Sequence, residues 1–196
     1  KEDRVLTRAI DGTVRVWNVA TGQELVKLVD PKADFTFMSW NRDENKILTI
    51  SNSSDKSATV WDTTTGQKLI QIAEVNEATW NNEGNRILTI NSDAFAYIWS
   101  AATGQKLFQL VKVNKATWSN DGSKILTTSD NNNAIIWDAD RGQDLVQLVN
   151  VDSATWSWDD VNILTLNNDG TVHIWNSDTG IELLGFHSEA YRINQL

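Results

Sequence analysis

The stretch "GNRILTINSDAFAYIWSAATGQKL" (84–107) is followed by "GSKILTTSDNNNAIIWDADRGQDL" (122–145), so the chain states one phrase twice. It states it five times. The Trp that closes each phrase falls at Trp17, Trp61, Trp99, Trp137 and Trp175, spaced by 44 and then three times by 38. A second ladder, Trp40, Trp80, Trp118 and Trp156, runs in steps of 40, 38 and 38. The glycines Gly22, Gly66, Gly104, Gly142 and Gly180 keep the phase of the first ladder. A fixed period of this size describes one supersecondary unit stacked on copies of itself, each too small to bury its own apolar face.

The unit is made of strands. "VRVWN", "AYIWS", "AIIWD" and "VHIWN" alternate, placing Val16, Val60, Ile98, Ile136 and Ile174 on one face and the following Trp on the other. "RILTIN", "KILTTS" and "NILTLN" form a second strand rich in β-branched residues. "VNEATWN", "VNKATWS" and "VDSATWS" form a third, and "QELVKLV", "QKLIQIA", "QKLFQLV" and "QDLVQLV" a short fourth. Turn chemistry separates them: "NNEGN" and "SNDGS" join third to second, "NSDA" and "NNDG" join second to Trp strand, and "ATG", "TTG" and "DTG" follow the Trp. Each repeat is expected to be a four-stranded antiparallel meander.

This sequence of strand, Asp turn, Trp strand, Thr-Gly turn and short strand resembles the WD40 repeat of β-propellers, across essentially the whole chain. It is most similar to bacterial-type WD40 arrays. The resemblance implies an all-β propeller of about five four-stranded blades, forming one domain over residues 1–196. It also implies a hydrogen-bonded tetrad in each blade: a Ser/Thr, the turn Asp, the Trp indole and a His. Thr7, Asp11 and Trp17 match, as do Thr49, Asp55 and Trp61. Thr89, Asp93 and Trp99, then Thr127, Asn131 and Trp137, then Thr165, Asp169 and Trp175 complete the series. The His does not match, because "QLV" (109–111) and "VNKATW" (113–118) leave no room for the Gly-His loop that would carry it. Incomplete tetrads then need backbone or water partners for their polar groups. Only His187, in "LGFHSEAYRINQL", stands near such a position, where it would cap Thr7, Asp11 and Trp17 across the join.

The ends cut through a repeat. "KEDRVLT" (1–7) aligns with "EGNRILT" (83–89), and "RINQL" (192–196) with "KVNKA" (112–116). The expectation is a ring closed by pairing of the C-terminal strand with the N-terminal strands, which removes open sheet edges. The alternative is part of a longer array.

Composition excludes several functions. The chain has 17 Lys and Arg against 26 Asp and Glu, a net charge of −9. That balance, with no basic cluster, argues against nucleic acid. Without Cys there is no disulfide, thiolate nucleophile or Cys-based zinc site, and a reducing, cytoplasmic setting is expected. No apolar run reaches the length of a membrane-spanning helix. Neither G-x-G-x-x-G, a Walker A loop nor a G-x-S-x-G elbow is present, and the two histidines, His173 and His187, do not form a metal-ligand motif. Solvated turn acids account for Asp138, Asp140, Asp159 and Asp160. No catalytic residue, metal or cofactor is expected.

Two features suggest a contact surface. Three residues before the second-ladder Trp stand Phe37, Glu77, Lys115 and Ser153, different in every repeat on an otherwise constant strand. By the family resemblance that position faces the rim of the central channel, where partners dock. Trp158 in "TWSWDD" is an extra Trp on a turn, a residue type enriched at contact hot spots and on sugar platforms. The leading expectation is a non-enzymatic protein-interaction scaffold or sensor module within a larger protein. The alternative is a lectin-like propeller binding a glycan at five like sites.

Overall fold

The computed structural model describes residues 4–54 and 56–187. These residues form nineteen strands and no helix, in consecutive antiparallel sheets. The first sheet has three strands: β1 (Arg4–Arg8), β2 (Val14–Asn18) and β3 (Glu24–Leu28). The next orders β4 (Phe35–Trp40), β5 (Lys46–Ser51), β6 (Ser57–Asp62) and β7 (Lys68–Ile72). The third orders β8 (Glu77–Trp80), β9 (Arg86–Ile90), β10 (Phe95–Ser100) and β11 (Lys106–Val111). The fourth has β12 (Lys115–Trp118), β13 (Lys124–Ser129), β14 (Asn133–Asp138) and β15 (Asp144–Val149). The last has β16 (Val151–Trp156), β17 (Asn162–Asn167), β18 (Thr171–Asn176) and β19 (Glu182–His187). The expected meander is thus present in each complete repeat. Asp55 and the expected closing strand, 192–196, lie outside the described residues.

The described residues divide into two compact units, one made of those up to 93 with 97–107 and the other of 94–96 with those from 108 onward. In the first unit, Leu6, Val14, Val16, Val26 and Leu28 of β1–β3 pack against Phe35, Ile47 and Trp61 of the following sheet, with Met38 and Trp40. The pattern repeats one sheet on: Leu48, Ala58, Val60 and Ile72 meet Ala78, Ile87, Trp80 and Trp99. In the second unit, Leu126, Ala134, Ile136, Val146 and Leu148 are covered by Val151, Ile163, Trp156 and Trp175. Burial in this fold lies between sheets. At each of these three junctions the earlier sheet shows aliphatic side chains of its three outer strands, and receives an aliphatic side chain and two indoles from the sheet that follows. At roughly 25 cal/mol per Å2, an indole burying 150–250 Å2 contributes about 4–6 kcal/mol before conformational entropy is counted.

Left-handed backbone recurs at the same turns from repeat to repeat among the described residues. Between the second and Trp strands it falls on Gly12, Lys56, Ala94, Asn132 and Gly170. Between the first and second strands it falls on Glu44, Gly84, Gly122 and Asp160. At Gly84 a side chain is excluded for a second reason, since a Cβ would lie 2.9 Å from the backbone N of Arg42.

Candidate functional site

The Trp strand is pinned to the second strand in all five repeats. Trp17 Nε1 donates to Thr7 Oγ1 at 2.8 Å, Trp61 to Thr49 at 2.8 Å, and Trp99 to Thr89 at 2.9 Å. Trp137 donates to Thr127 and Trp175 to Thr165, both at 2.8 Å. The strand register explains the recurrence: Ile163 opposes Trp175, which places Thr165 on the same face two residues along. The hydroxyl proton turns to the backbone, Thr127 Oγ1 donating to Ile135 O and Thr49 Oγ1 to Thr59 O.

The turn acids expected to join these pairs point elsewhere. Asp11 is exposed; its carboxylate accepts from the hydroxyl and backbone N–H of Thr13, two residues ahead, and pairs with Arg15 at 2.6 Å. The Thr13 hydroxyl and then its N–H lower the Asp11 pKa from 3.8 to about 2. Asp169 repeats the arrangement with Thr171, whose hydroxyl lies 2.6 Å away, and its pKa is lowered for the same reason. Asp93 and Asn131 are exposed at the corresponding turns, Asp93 beside Lys56 and Glu74 in a shallow cleft. His187 ends β19 opposite Thr171, exposed, and its charge adds a smaller lowering to Asp169. His173, on the Trp strand, bridges Glu182 at 2.8 Å and Thr171 at 2.9 Å. Thr171 and His173 share one face of β18, and Asp169 reaches Thr171 from the turn before it.

The candidate rim residues all stand in solvent. Glu77 and Lys115 are the first residues of β8 and β12, while Phe37 and Ser153 are the third of β4 and β16. Each is exposed. Within the second unit, Lys115 and Ser153 line one cleft of about 170 Å3, together with Asn114, Thr128, Ser129 and Asp152.

Trp158 belongs to another place. It lies on the turn after β16, at the opposite end of that strand from Ser153, and is 92% exposed. Its turn is nonetheless held firmly. Asp160 accepts from the backbone N–H groups of Asn120 and Asp121, both at 2.9 Å, and Asn120 Nδ2 donates to Trp158 O at 2.8 Å. A carboxylate from one turn therefore satisfies the donors of the turn one repeat earlier. That role for Asp160 was not legible as such, because its partners are 39 and 40 residues away.

Among the described residues no group of three or more His, Asp or Glu side chains is placed to hold a metal ion, and no helix is long and apolar enough to cross a membrane.

Residues 106–138, from β11 to β14, match the family described as "WD domain, G-beta repeat". No curated protein matches the chain. Among solved structures, it is similar in fold to the computationally designed Ika8 protein, with a TM-score of 0.70 and 21% identity. That likeness covers 95% of this chain and 59% of the designed one, so the chain spans about three fifths of the protein it matches. Residues 106–138 thus carry a WD40 repeat, and the other repeats share its strand order and its Trp–Thr bond.

Proposed function

We propose that residues 1–196 act as one non-enzymatic protein-interaction module, a scaffold or sensor within a larger cytoplasmic protein. The WD40 repeat suggests a scaffold, and the observation that carries the reading further is the innermost strand. Phe37, Glu77, Lys115 and Ser153 occupy the same strand position in four sheets, all exposed, with four different chemistries. A scaffold that holds backbone constant while varying its exposed side chains presents a surface specific to one partner.

The test is affinity capture from the source organism, read by mass spectrometry, with Glu77→Lys and Lys115→Glu variants. Both should reduce recovery of the same partner while leaving the melting temperature unchanged. Trp99→Ala and Trp137→Ala should lower stability by about 3–5 kcal/mol. Rim variants that unfold as readily as the Trp variants would refute the assignment of faces.

The lectin-like reading requires like residues at like positions in all repeats. The aromatic, acidic, basic and hydroxyl side chains at the rim favour the protein partner instead.

A further inference from the structure

The second unit holds an opening between two successive sheets. Where β12 and β13 meet β16, at the start of the innermost strands, the cleft of about 170 Å3 is lined by Lys115, Leu126, Thr128, Asp152, Ser153 and Ala154 among others. Both of its walls lie within that unit and are described in full. Lys115 opposes Thr128 across β12 and β13, so the two side chains share one face. Trp156 Nε1 donates to Thr117 O at 3.4 Å, which ties β16 to β12 beside the cleft.

The same strand positions in the first unit are apolar: there Phe37 opposes Ile50. Ile50 and Thr128 are buried alike, 7% and 8% exposed, so a hydroxyl stands where that repeat has an aliphatic group. Thr128 Oγ1 has no hydrogen-bond partner among the described residues, whereas its neighbour Thr127 is bonded to Trp137 and to Ile135 O. A buried hydroxyl left unbonded is destabilising, and a guest in the cleft would supply its partner. Asn114 and Ser129 on the same lining are engaged, donating to Asp130 and to Asn133 O. The side chains of Lys115, Asp152 and Ser153 have no partner among the described residues, and Lys115 and Asp152, which border one cleft, form no ion pair with each other.

We propose that this cleft binds a free α-amino acid with a small side chain. The guest's carboxylate accepts from Lys115 Nζ and from the Thr128 and Ser153 hydroxyls, and its ammonium group donates to Asp152. A cation, two hydroxyl donors and an anion, all unpaired around one opening, call for a molecule that carries both charges; a simple anion would meet Asp152, and a simple cation would meet Lys115. Size sets the other limit. Clefts that take drug-sized ligands run to about 300–1,000 Å3, and this one is smaller, which suits glycine, alanine or serine, with Leu126 and Ala154 against the side chain. The proposal goes beyond the scaffold reading and needs no protein partner, although Lys115 and Ser153 belong to both surfaces.

The experiment is titration of the 15N-labelled chain with glycine, alanine and serine in turn, followed by amide chemical shifts. Acetate, methylammonium and N-acetylalanine N-methylamide serve as probes that carry one charge or none. At least one of the three amino acids should give saturable shifts centred on Lys115, Thr128 and Ser153, and the other probes should give none there. Thr128→Val keeps the shape and should weaken binding about tenfold, while Lys115→Met and Asp152→Asn should each weaken it by about tenfold or more. Thr128→Ser should retain it, and the amide spectrum of each variant reports whether it is folded, so Thr128→Ser and Asp152→Asn keep the test open if Thr128→Val does not fold. No saturable shift at the cleft with any of the three amino acids would overturn the proposal. So would acetate binding as tightly as the amino acids, or an affinity unchanged in Thr128→Val. Amino-acid binding without capture of a protein would sink the scaffold reading alone, and capture without amino-acid binding would sink this one alone.

Discussion

The indole N–H of Trp61 donates to Thr49 Oγ1 at 2.8 Å with both side chains almost wholly removed from solvent. Replacing Thr49 by Val keeps the shape and removes the acceptor, leaving a buried donor without a partner. The loss should be about 1–3 kcal/mol, measured by urea unfolding. In a double-mutant cycle with Trp61→Phe, the two losses should add to more than the loss in the double variant, because the second change removes a donor already orphaned.

Ala94 has φ of 60° at a turn position where the first and last repeats carry Gly12 and Gly170. A Cβ in the left-handed region is strained by about 1–2 kcal/mol, partly offset by the greater unfolded-state freedom of glycine. Ala94→Gly should therefore stabilise the protein by about 0.5–1 kcal/mol, and Gly170→Ala should destabilise it by a comparable amount. Urea midpoints of the two variants should move in opposite directions.

Asp160 shares the left-handed backbone, yet the same substitution should have the opposite sign there. Its carboxylate accepts from two backbone N–H groups of the preceding repeat's turn. Asp160→Gly should lower stability by about 1–2 kcal/mol net of the relieved backbone. Trp158→Ser, two residues away, should change it by less than about 0.5 kcal/mol. Thermal unfolding of the pair separates the anchor from the exposed side chain it holds.

Asp11 supplies a pH dependence with a definite sign. Its pKa falls from 3.8 to about 2 through the Thr13 hydroxyl and N–H, so the folded state favours the ionised form. The resulting stabilisation is present above the unfolded value and is lost as pH falls through the folded one, between about 4 and 2. Asp11→Asn should flatten that part of the acid limb when stability is followed from neutral pH downward. The two proteins should differ most near neutral pH and converge as the pH falls to about 2.

Much of the fold could be read from the chain because it depends on local pattern. Alternation fixed the faces of β10, β14 and β18, and the Gly and Asn positions located the turns. The Trp–Thr bonds follow from register, which any two adjoining strands with those residues share. Other features depend on direction or on distant neighbours. Nothing in "NNDGT" distinguishes an Asp169 that reaches toward a Trp from one that bonds to Thr171, two residues on. Leu164 and Leu126 occupy the same phrase, "ILT" at 163–165 and 125–127, yet one is exposed and the other buried. Burial there belongs to the next sheet, not to the strand. Phe37, Glu77, Lys115 and Ser153, singled out by their variation, are exposed, whereas the placement of Trp158 beyond the far end of its strand required the strand's direction.

The placement of Trp158 has a spectroscopic consequence. Of the ten indoles, it is the one that stands fully in water; the remainder are shielded wholly or in part. Excitation at the red edge, or quenching by iodide, will therefore select its emission from the rest. The turn at 157–160 holds a native fluorophore at a defined location, and any molecule that settles on it will announce itself by a blue shift and loss of quenching, without a label.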